Sequence, residues 1–512
     1  MKKIIDRTTA ILGSRRFFWV VLAFFVFEAA WIALSAVYPM AFDEDFHFGL
    51  IKVYSHYWLP FLTQQPPHAN AFGAVPRDPS YLYHYIMSFP YRLISLVIHG
   101  QTGQVIIMRL LDVALFSSGL ILFRKVLLRA KLSPQLTNLS ILIFSLIPIA
   151  PQLAAHVNYD DLVFPLVALL CLLTFRLTDE LRQKQPTIKS ILLFLAVGFF
   201  GTQVKYAYLP VFAAAIVFLL FMAFRQFRGQ FSALLRRIAQ SWKLLTRWAK
   251  VGLLIAFLVP FGLFVQRDGV NLVKYHGFTP DCGQVLNTKD CMAYGPWAYS
   301  YKSHEKVLHK EAEGKLHPAN PIAWLGEWIY WMWYRLFFAI NTKSTGYVNY
   351  PPLPILSASA AVIAIGGVVA LAVWCRRVFR NNPYLVFFVL ACLFYVMALW
   401  ADGYAQYRYT HELVTMNGRY LLPILLLFAA LIGRALSLTL RKSPARKTIL
   451  ALAAVVLFLQ GGGFLTFIDR SDASWDWPNS AVVKVNNAAR DVTSPLIIDG
   501  SKYYSSRYWF FN

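Results

Sequence analysis

Pro39-Met-Ala-Phe-Asp-Glu-Asp-Phe-His-Phe-Gly-Leu-Ile-Lys-Val-Tyr-Ser-His-Tyr-Trp58 follows directly on the first strongly apolar run of the chain, residues 17–38. Asp43, Glu44, Asp45 and His47 crowd into five positions, and ionisable groups are costly beside a membrane unless they serve a purpose. On a helix at about 100° per residue, Asp43 and His47 project about 40° apart and Glu44 about 60° from His47. Asp45 falls on the far side, in line with Lys52 and His56. The stretch therefore reads as one helix with two carboxylates and an imidazole on one face and a solvated stripe on the other.

The rest of the chain is what such a helix would need around it. Of the 512 residues, 58% are hydrophobic and only 14% charged, against roughly 25% charge in ordinary soluble domains. Repeated apolar runs of about 17 to 22 residues mark an all-α polytopic membrane protein. Eleven spans are expected, over 17–38, 104–123, 135–149, 162–175, 190–203, 208–224, 251–265, 353–375, 384–400, 420–432 and 448–467. The 188–224 region would be about 55 Å long as one helix, too long for one crossing, so it must turn near 201–206. The N-terminus is basic, but the apolar run after it is long for a cleaved signal peptide and contains Glu28, which favours an uncleaved first helix.

Charge sets the orientation. With the N-terminus in the cytoplasm, the inner segments 1–16, 124–133, 176–189, 225–250, 376–383 and 434–447 hold 28 of the 49 Lys/Arg and 3 of the 25 Asp/Glu. The longer outer segments hold 20 of each. This is the positive-inside pattern. It makes most of the formal +24 a topology signal rather than a nucleic-acid-binding one, with 225–250 also suited to anionic lipid. Residues 321–340 are apolar enough to span, yet counting them would put 376–377 and 434–447 outside. Trp324, Trp328, Trp331 and Trp333 suit a helix lying at the outer interface, and 81–98 reads as a second interfacial helix. The organisation expected is a membrane domain over 1–435, a last span within 436–468, and an outer tail over 469–512.

Polar chemistry collects outside. The loops 39–103 and 266–352 are too long for simple connections. Shorter outer sites are His156-Val-Asn-Tyr-Asp-Asp161, Lys205-Tyr206 at the hairpin turn, Tyr407-Arg-Tyr-Thr-His-Glu412 and Asn417-Gly-Arg-Tyr420. Lys205 and Arg419 read equally as interfacial anchors, and Asp160 and Asp161 as helix-capping carboxylates. Glu44 and His47 are plausible metal ligands, although no second ligand pair is spaced to join them. Within the membrane, Arg109 and Asp112 lie on one helix face and could neutralise each other, with Glu28 as a third member. Of five cysteines, Cys171, Cys375 and Cys392 lie in or beside apolar runs. Cys282 and Cys291 lie in a polar loop, where a disulfide requires an oxidising compartment.

The order of these motifs resembles the GT-C superfamily of integral membrane glycosyltransferases. Asp43-Glu44-x-x-His47-Phe48-Gly49, just after the first span, looks like the acidic motif of the protein O-mannosyltransferases and aminoarabinose transferases. Together with Asn417-Gly-Arg-Tyr-Leu-Leu-Pro423 it is similar to an uncharacterised bacterial branch of that superfamily. Asp78-Pro-Ser-Tyr-Leu-Tyr-His-Tyr85 looks like a degenerate Pro-Pro-Leu-Tyr-Tyr segment, with Ser80 in place of the second proline. Asn158-Tyr-Asp160 and Gln203-Val-Lys-Tyr206 resemble the acidic second outer loop and the Thr-Lys-Tyr hairpin. The resemblance spans about 15–435 and leaves the 266–352 loop and the tail unmatched.

It implies transfer of a monosaccharide from a polyprenyl-phosphate carrier to a hydroxyl of a glycan, lipid or protein, on the outer face of a bacterial plasma membrane. Asp43 would be the general base, with Glu44 and His47 positioning the acceptor or tuning Asp43, and Asp160 in the same site. Lys205 and Arg419, with Arg335 and Lys343 behind them, would hold the donor phosphate. No cofactor is specified, and a divalent metal stays open. Three other classes compete, among them a structural or sensor protein. A transporter would show inverted repeats and mid-membrane ionisable groups. A ligase or polymerase of lipid-linked glycans would not need the acidic motif.

Overall fold

Long apolar segments fold as helices in a membrane because only a helix or a closed barrel satisfies its own backbone polar groups there. In the computed structural model, which describes residues 2–41, 43–315, 319–343, 346–350, 354–441, 443–471 and 473–497, eight helices are long and apolar enough to cross a membrane. These are Arg15–Ser35, Gln101–Arg129, Asp160–Arg182, Tyr206–Gln226, Arg247–Tyr275, Ile355–Phe379, Pro383–Thr410 and Gly418–Thr439. The chain is an integral, multi-pass, predominantly helical membrane protein.

In chain order the helices of the first half are α1 (Lys2–Gly13), α2 (Arg15–Ser35), α3 (Glu44–Tyr54), α4 (Leu82–Val97), α5 (Gln101–Arg129), α6 (Pro134–Ser145), α7 (Ile149–Ala154), α8 (Asp160–Arg182), α9 (Ile188–Val204), α10 (Leu209–Gln226), α11 (Phe231–Lys243) and α12 (Arg247–Phe264). The second half continues with α13 (Val270–Tyr275), α14 (Cys282–Val285), α15 (Thr288–Cys291), α16 (Gly295–Ala312), α17 (Pro321–Tyr334), the hairpin β1 (Ala339–Lys343) and β2 (Gly346–Tyr350), α18 (Pro354–Phe379), α19 (Pro383–Thr410), α20 (Leu422–Thr439), α21 (Pro444–Phe458), α22 (Phe464–Arg470) and α23 (Ser480–Thr493).

Three of the eleven expected spans are shorter than a full crossing. α6, α9 and α21 have 12, 17 and 15 residues, about 18, 26 and 23 Å at 1.5 Å per residue. The 135–149 run breaks after Ser145, just ahead of Pro148, whose ring disfavours helical geometry at the residue before it. The 448–467 run breaks at Gly461-Gly462-Gly463, where Gly463 has φ +62°. The 188–224 region turns as expected, with α9 ending at Val204 and α10 beginning at Leu209. α17 has 14 residues and packs Trp324 and Trp328 against α19 and its Trp400 and Tyr404, too short at about 21 Å to cross. The helix expected over 81–98 is α4.

The core is built where helices can approach closely. α5 lies along α8, α9 along α12, α10 along α19 and α18 along α20. Phe164 of α8 stacks on Phe116 of α5 with centroids 4.3 Å apart. It reaches that position over Gly119, where a Cβ would lie 2.4 Å from the Phe164 ring. The tail beyond 469 is not a detached unit. Val37 N donates to the Trp475 carbonyl at 2.7 Å and Trp477 N to the Ser35 carbonyl at 2.9 Å, so the tail straps the end of α2, immediately before the acidic stretch. Residues 498–512 of the expected tail lie outside the described residues.

The proposed trio of Glu28, Arg109 and Asp112 is corrected. Glu28 accepts from Phe464 N at 3.2 Å, over Gly463, where a Cβ would fall 1.8 Å from its Oε1. Arg109 turns to Glu44, and Asp112 accepts from the Tyr83 hydroxyl at 2.8 Å. Each side chain finds a nearer partner on a segment far away in sequence.

Candidate functional site

Four breaks in the helical pattern meet α4 at one end of the bundle: the 36–43 link between α2 and α3, the 155–159 link before α8, the α9–α10 turn, and the 3-10 turn Gly418–Leu421 ahead of α20. Asp43 does not belong to α3. It precedes the helix in the left-handed conformation, φ 66° and ψ 35°, which costs a non-glycine residue about 1 kcal/mol or more. The helical-wheel placement of Asp43 beside Glu44 is thereby corrected. The left-handed turn sends the two carboxylates to different places.

Glu44 goes inward. It forms a bidentate pair with Arg109, 2.7 Å from Nε to Oε1 and 2.7 Å from Nη2 to Oε2. It also accepts from Met40 N at 2.7 Å and Val157 N at 3.2 Å. Both partners are fully buried. Arg109 spends its remaining donors on the Ala33, Ala36 and Val37 carbonyls at the end of α2. Burial alone would raise the Glu44 carboxyl, but the Arg109 guanidinium holds it below its ordinary value. Four donors occupy the carboxylate, so Glu44 braces α2, α3, α5 and the α7–α8 link and presents no open ligand position.

Asp43 goes outward. Its Oδ2 lies 3.0 Å from Arg419 Nη2, and its side chain is 45% exposed against 5% for Arg419. Arg419 is aimed by its turn. Asn417 Oδ1 accepts from Arg419 N at 3.1 Å. Gly418 packs so tightly that a Cβ there would meet Leu336 N at 2.6 Å. Beside this pair, Lys205 Nζ reaches Asp160 Oδ1 at 2.6 Å, with both side chains under 5% exposed. Lys205 lies over the rings of Tyr159 and Tyr420, at 4.4 and 5.2 Å from the centroids, and Arg419 lies 5.1 Å from the Tyr420 ring. Burial lowers the Lys205 ammonium, and the neighbouring Arg419 adds to that against the pull of Asp160. Asp160 thus serves Lys205 rather than capping α8; its own N–H is held by Asn158 Oδ1 at 2.9 Å.

Three histidines line the inner wall. His47 Nδ1 lies 2.8 Å from His84 Nε2, so one ring donates to the other, and Tyr159 meets His47 edge-on at 4.4 Å. His156 shares a 3.2 Å contact between Nδ1 and the Gln152 carbonyl. Burial pushes His47 well below the usual imidazole range, His84 down to about 3 and His156 to about 4. All three are closed to solvent and held by protein partners. Asp45 is exposed, as expected.

The remaining expected residues lie around this centre. The contacts described for Arg335 are to the Met416 carbonyl and, at 4.8 Å, to the Trp331 ring. Its bond to Met416 supports the turn that carries Arg419. The side chain of Lys343 lies outside the described residues. Cys282 and Cys291 are joined, with Cα atoms 5.8 Å apart. The loop they close reaches the 39–103 loop through Asp290, which accepts from Asn70 Nδ2 at 2.9 Å, and just past it the Tyr294 ring lies 5.9 Å from that of Phe46 in the acidic stretch. Among the described residues, no set of three or more His, Cys, Asp or Glu is arranged to hold a metal ion.

Sequence reading did not assign roles to His84, Tyr159, Tyr294 or Tyr420. Each stands in a motif it quoted or a loop it set aside, but only the fold brings them together. No family model matches the chain, and no curated protein matches it significantly.

Proposed function

We propose that the chain is a glycosyltransferase of the GT-C type, moving a monosaccharide from a polyprenyl-phosphate carrier to an acceptor hydroxyl at the outer membrane face. The observation that carries this reading is the quartet Asp43–Arg419 and Lys205–Asp160, in which Asp43 alone is open to solvent. A base must meet its substrate, and of the three expected carboxylates only Asp43 is accessible.

In the reaction, the acceptor oxygen attacks the anomeric carbon as its proton passes to Asp43. The bond from that carbon to the phosphate oxygen breaks, and its electron pair leaves with the phosphate. Such a leaving group needs cations rather than an acid. Arg419 and Lys205 fit that need, because each already holds a carboxylate that a phosphate can replace or share. The attack inverts the anomeric centre, because no enzyme nucleophile intervenes. His47 and His84, buried and bonded to each other, back the α3 start that carries Asp43 and do not themselves meet the sugar.

A place for the lipid tail also supports the reading. A largely apolar cavity of about 630 Å³ runs between α1, α6, α17, α18, α20 and α21, lined among others by Ile143, Phe337, Ile363, Ile432 and Phe458. Asp43 is not in its wall. Leu336 in its wall packs against Gly418, the residue before Arg419.

The test uses purified protein, a sugar-labelled polyprenyl-phosphate hexose, and a membrane extract as the acceptor source. Label is expected to leave the carrier, and Asp43→Asn is expected to slow this by about 10²- to 10⁴-fold. Undiminished release by the variant rejects Asp43 as base. A transporter draws its support from Asp112 and Asp161, fully buried carboxylates whose Oδ1 atoms, and Asp161 Oδ2, meet no donor among the described residues; such groups inside spans often mark ion paths. Uptake of label into proteoliposomes without cleavage of the carrier would favour it.

A further inference from the structure

At the end of the bundle opposite Lys205, the chain leaves α10 at Gln226 and re-enters with α12 at Arg247. Between these two spans lies α11, amphipathic and only partly covered. Leu234 is buried, Ser241 Oγ accepts from Ile188 N at 2.9 Å, and Arg237 donates to the Lys184 carbonyl. These contacts dock one edge of α11 on the start of α9. The other apolar edge has no such cover: Phe231 is 63% exposed and Leu235 55%, Leu244 in the α11–α12 connection is 87% exposed, and Trp248 in the first turn of α12 is 84% exposed. Residues 225–250 hold seven Lys/Arg and no Asp/Glu.

An exposed apolar edge beside spanning helices is unfavourable in water, and an uncompensated row of cations repels itself. A soluble polyanion would answer the charge and leave the apolar edge wet. The boundary between headgroups and acyl chains answers both at once. We propose that residues 225–250 dock on anionic phospholipid headgroups of the leaflet opposite the site, with α11 lying in the plane of the interface and Phe231, Leu235, Leu244 and Trp248 turned toward the acyl chains. This assignment is independent of the transferase reading.

Hydrogen exchange of the full chain in nanodiscs tests it. Amides of 231–246 are expected to exchange about tenfold more slowly in discs of phosphatidylcholine with phosphatidylglycerol than in phosphatidylcholine alone, with the difference shrinking as salt is added. Replacing Arg228, Arg236, Lys243 and Arg247 by Gln together should abolish the difference, while replacing the three arginines by Lys should keep it. Exchange elsewhere in the Gln variant, measured in neutral discs, reports whether its fold is intact. Equal exchange in the two lipids, or a difference that survives in a folded Gln variant, overturns the proposal. So does equal protection by soluble polyphosphate in neutral discs, which would make the partner a soluble anion.

Discussion

Asp43 and Glu44 are adjacent, carry the same functional group, and live in opposite surroundings. Glu44 is fully buried on four donors. Asp43 is half-exposed and pairs with Arg419. The difference is made by one left-handed residue, and it separates a carboxylate sealed in the fold from one that reaches solvent. A carboxylate saturated with buried donors is too well stabilised to exchange partners. One held at 3.0 Å at the edge of solvent is poised to do so.

That contrast breaks most sharply in stability. Glu44→Ala leaves Arg109 charged and buried, and should cost about 3–5 kcal/mol, visible as a large fall in the thermal midpoint in detergent. Asp43→Ala should lower the midpoint far less, by about 1 kcal/mol or less. Glu44→Gln combined with Arg109→Met should recover much of the loss, because a buried pair can often be replaced as a unit. Similar losses from Glu44→Ala and Asp43→Ala would mean that burial does not divide their roles.

Acid should act on the buried wall next. Below about pH 6.5 the unfolded chain protonates its histidines, whereas folded His84 and His156 stay neutral until about 3 and about 4. The stability they contribute is therefore complete above pH 6.5 and lost as pH falls toward 4, at about 1.4 kcal/mol per pH unit for each histidine. Unfolding midpoints recorded from pH 7 to pH 4.5 should fall accordingly. His84→Phe removes one such contribution and leaves His47 Nδ1 without its partner, at a cost of about 1–3 kcal/mol. It should also flatten the pH dependence, which a loss of packing alone would not do.

The smallest effect belongs to Asp45. It is exposed on α3, and Asp45→Asn should change stability by no more than about 0.5 kcal/mol and leave label release unchanged. A marked loss of release would bring Asp45 into the site and undo the contrast with its neighbours.

Much of this was legible without coordinates. The membrane class follows from apolar runs, since hydrocarbon accepts few other structures. The turn at Lys205, the helix α4 and the outward face of Asp45 follow from periodicity and length. The charge asymmetry between alternate connecting segments is likewise a property of composition along the sequence. Asp43, Asp160, Lys205 and Arg419 could be singled out because an ionisable residue at a membrane boundary is unusual enough to need a reason. Span lengths were less legible, since Gly461–Gly463 and Pro148 interrupt runs that hydropathy alone joins.

Pairing was the part that only tertiary structure decided. Arg109 and Asp112 are three residues apart, yet each binds a partner from another segment. Glu44 and His47 were expected on the face of Asp43, until a left-handed residue turned Asp43 away. Such outcomes depend on which donors reach a carboxylate across tens or hundreds of positions, and no local pattern records that. The sequence by itself determined that polar chemistry gathers where helices end. The fold determined which of those groups are spent on holding it together and which remain to act.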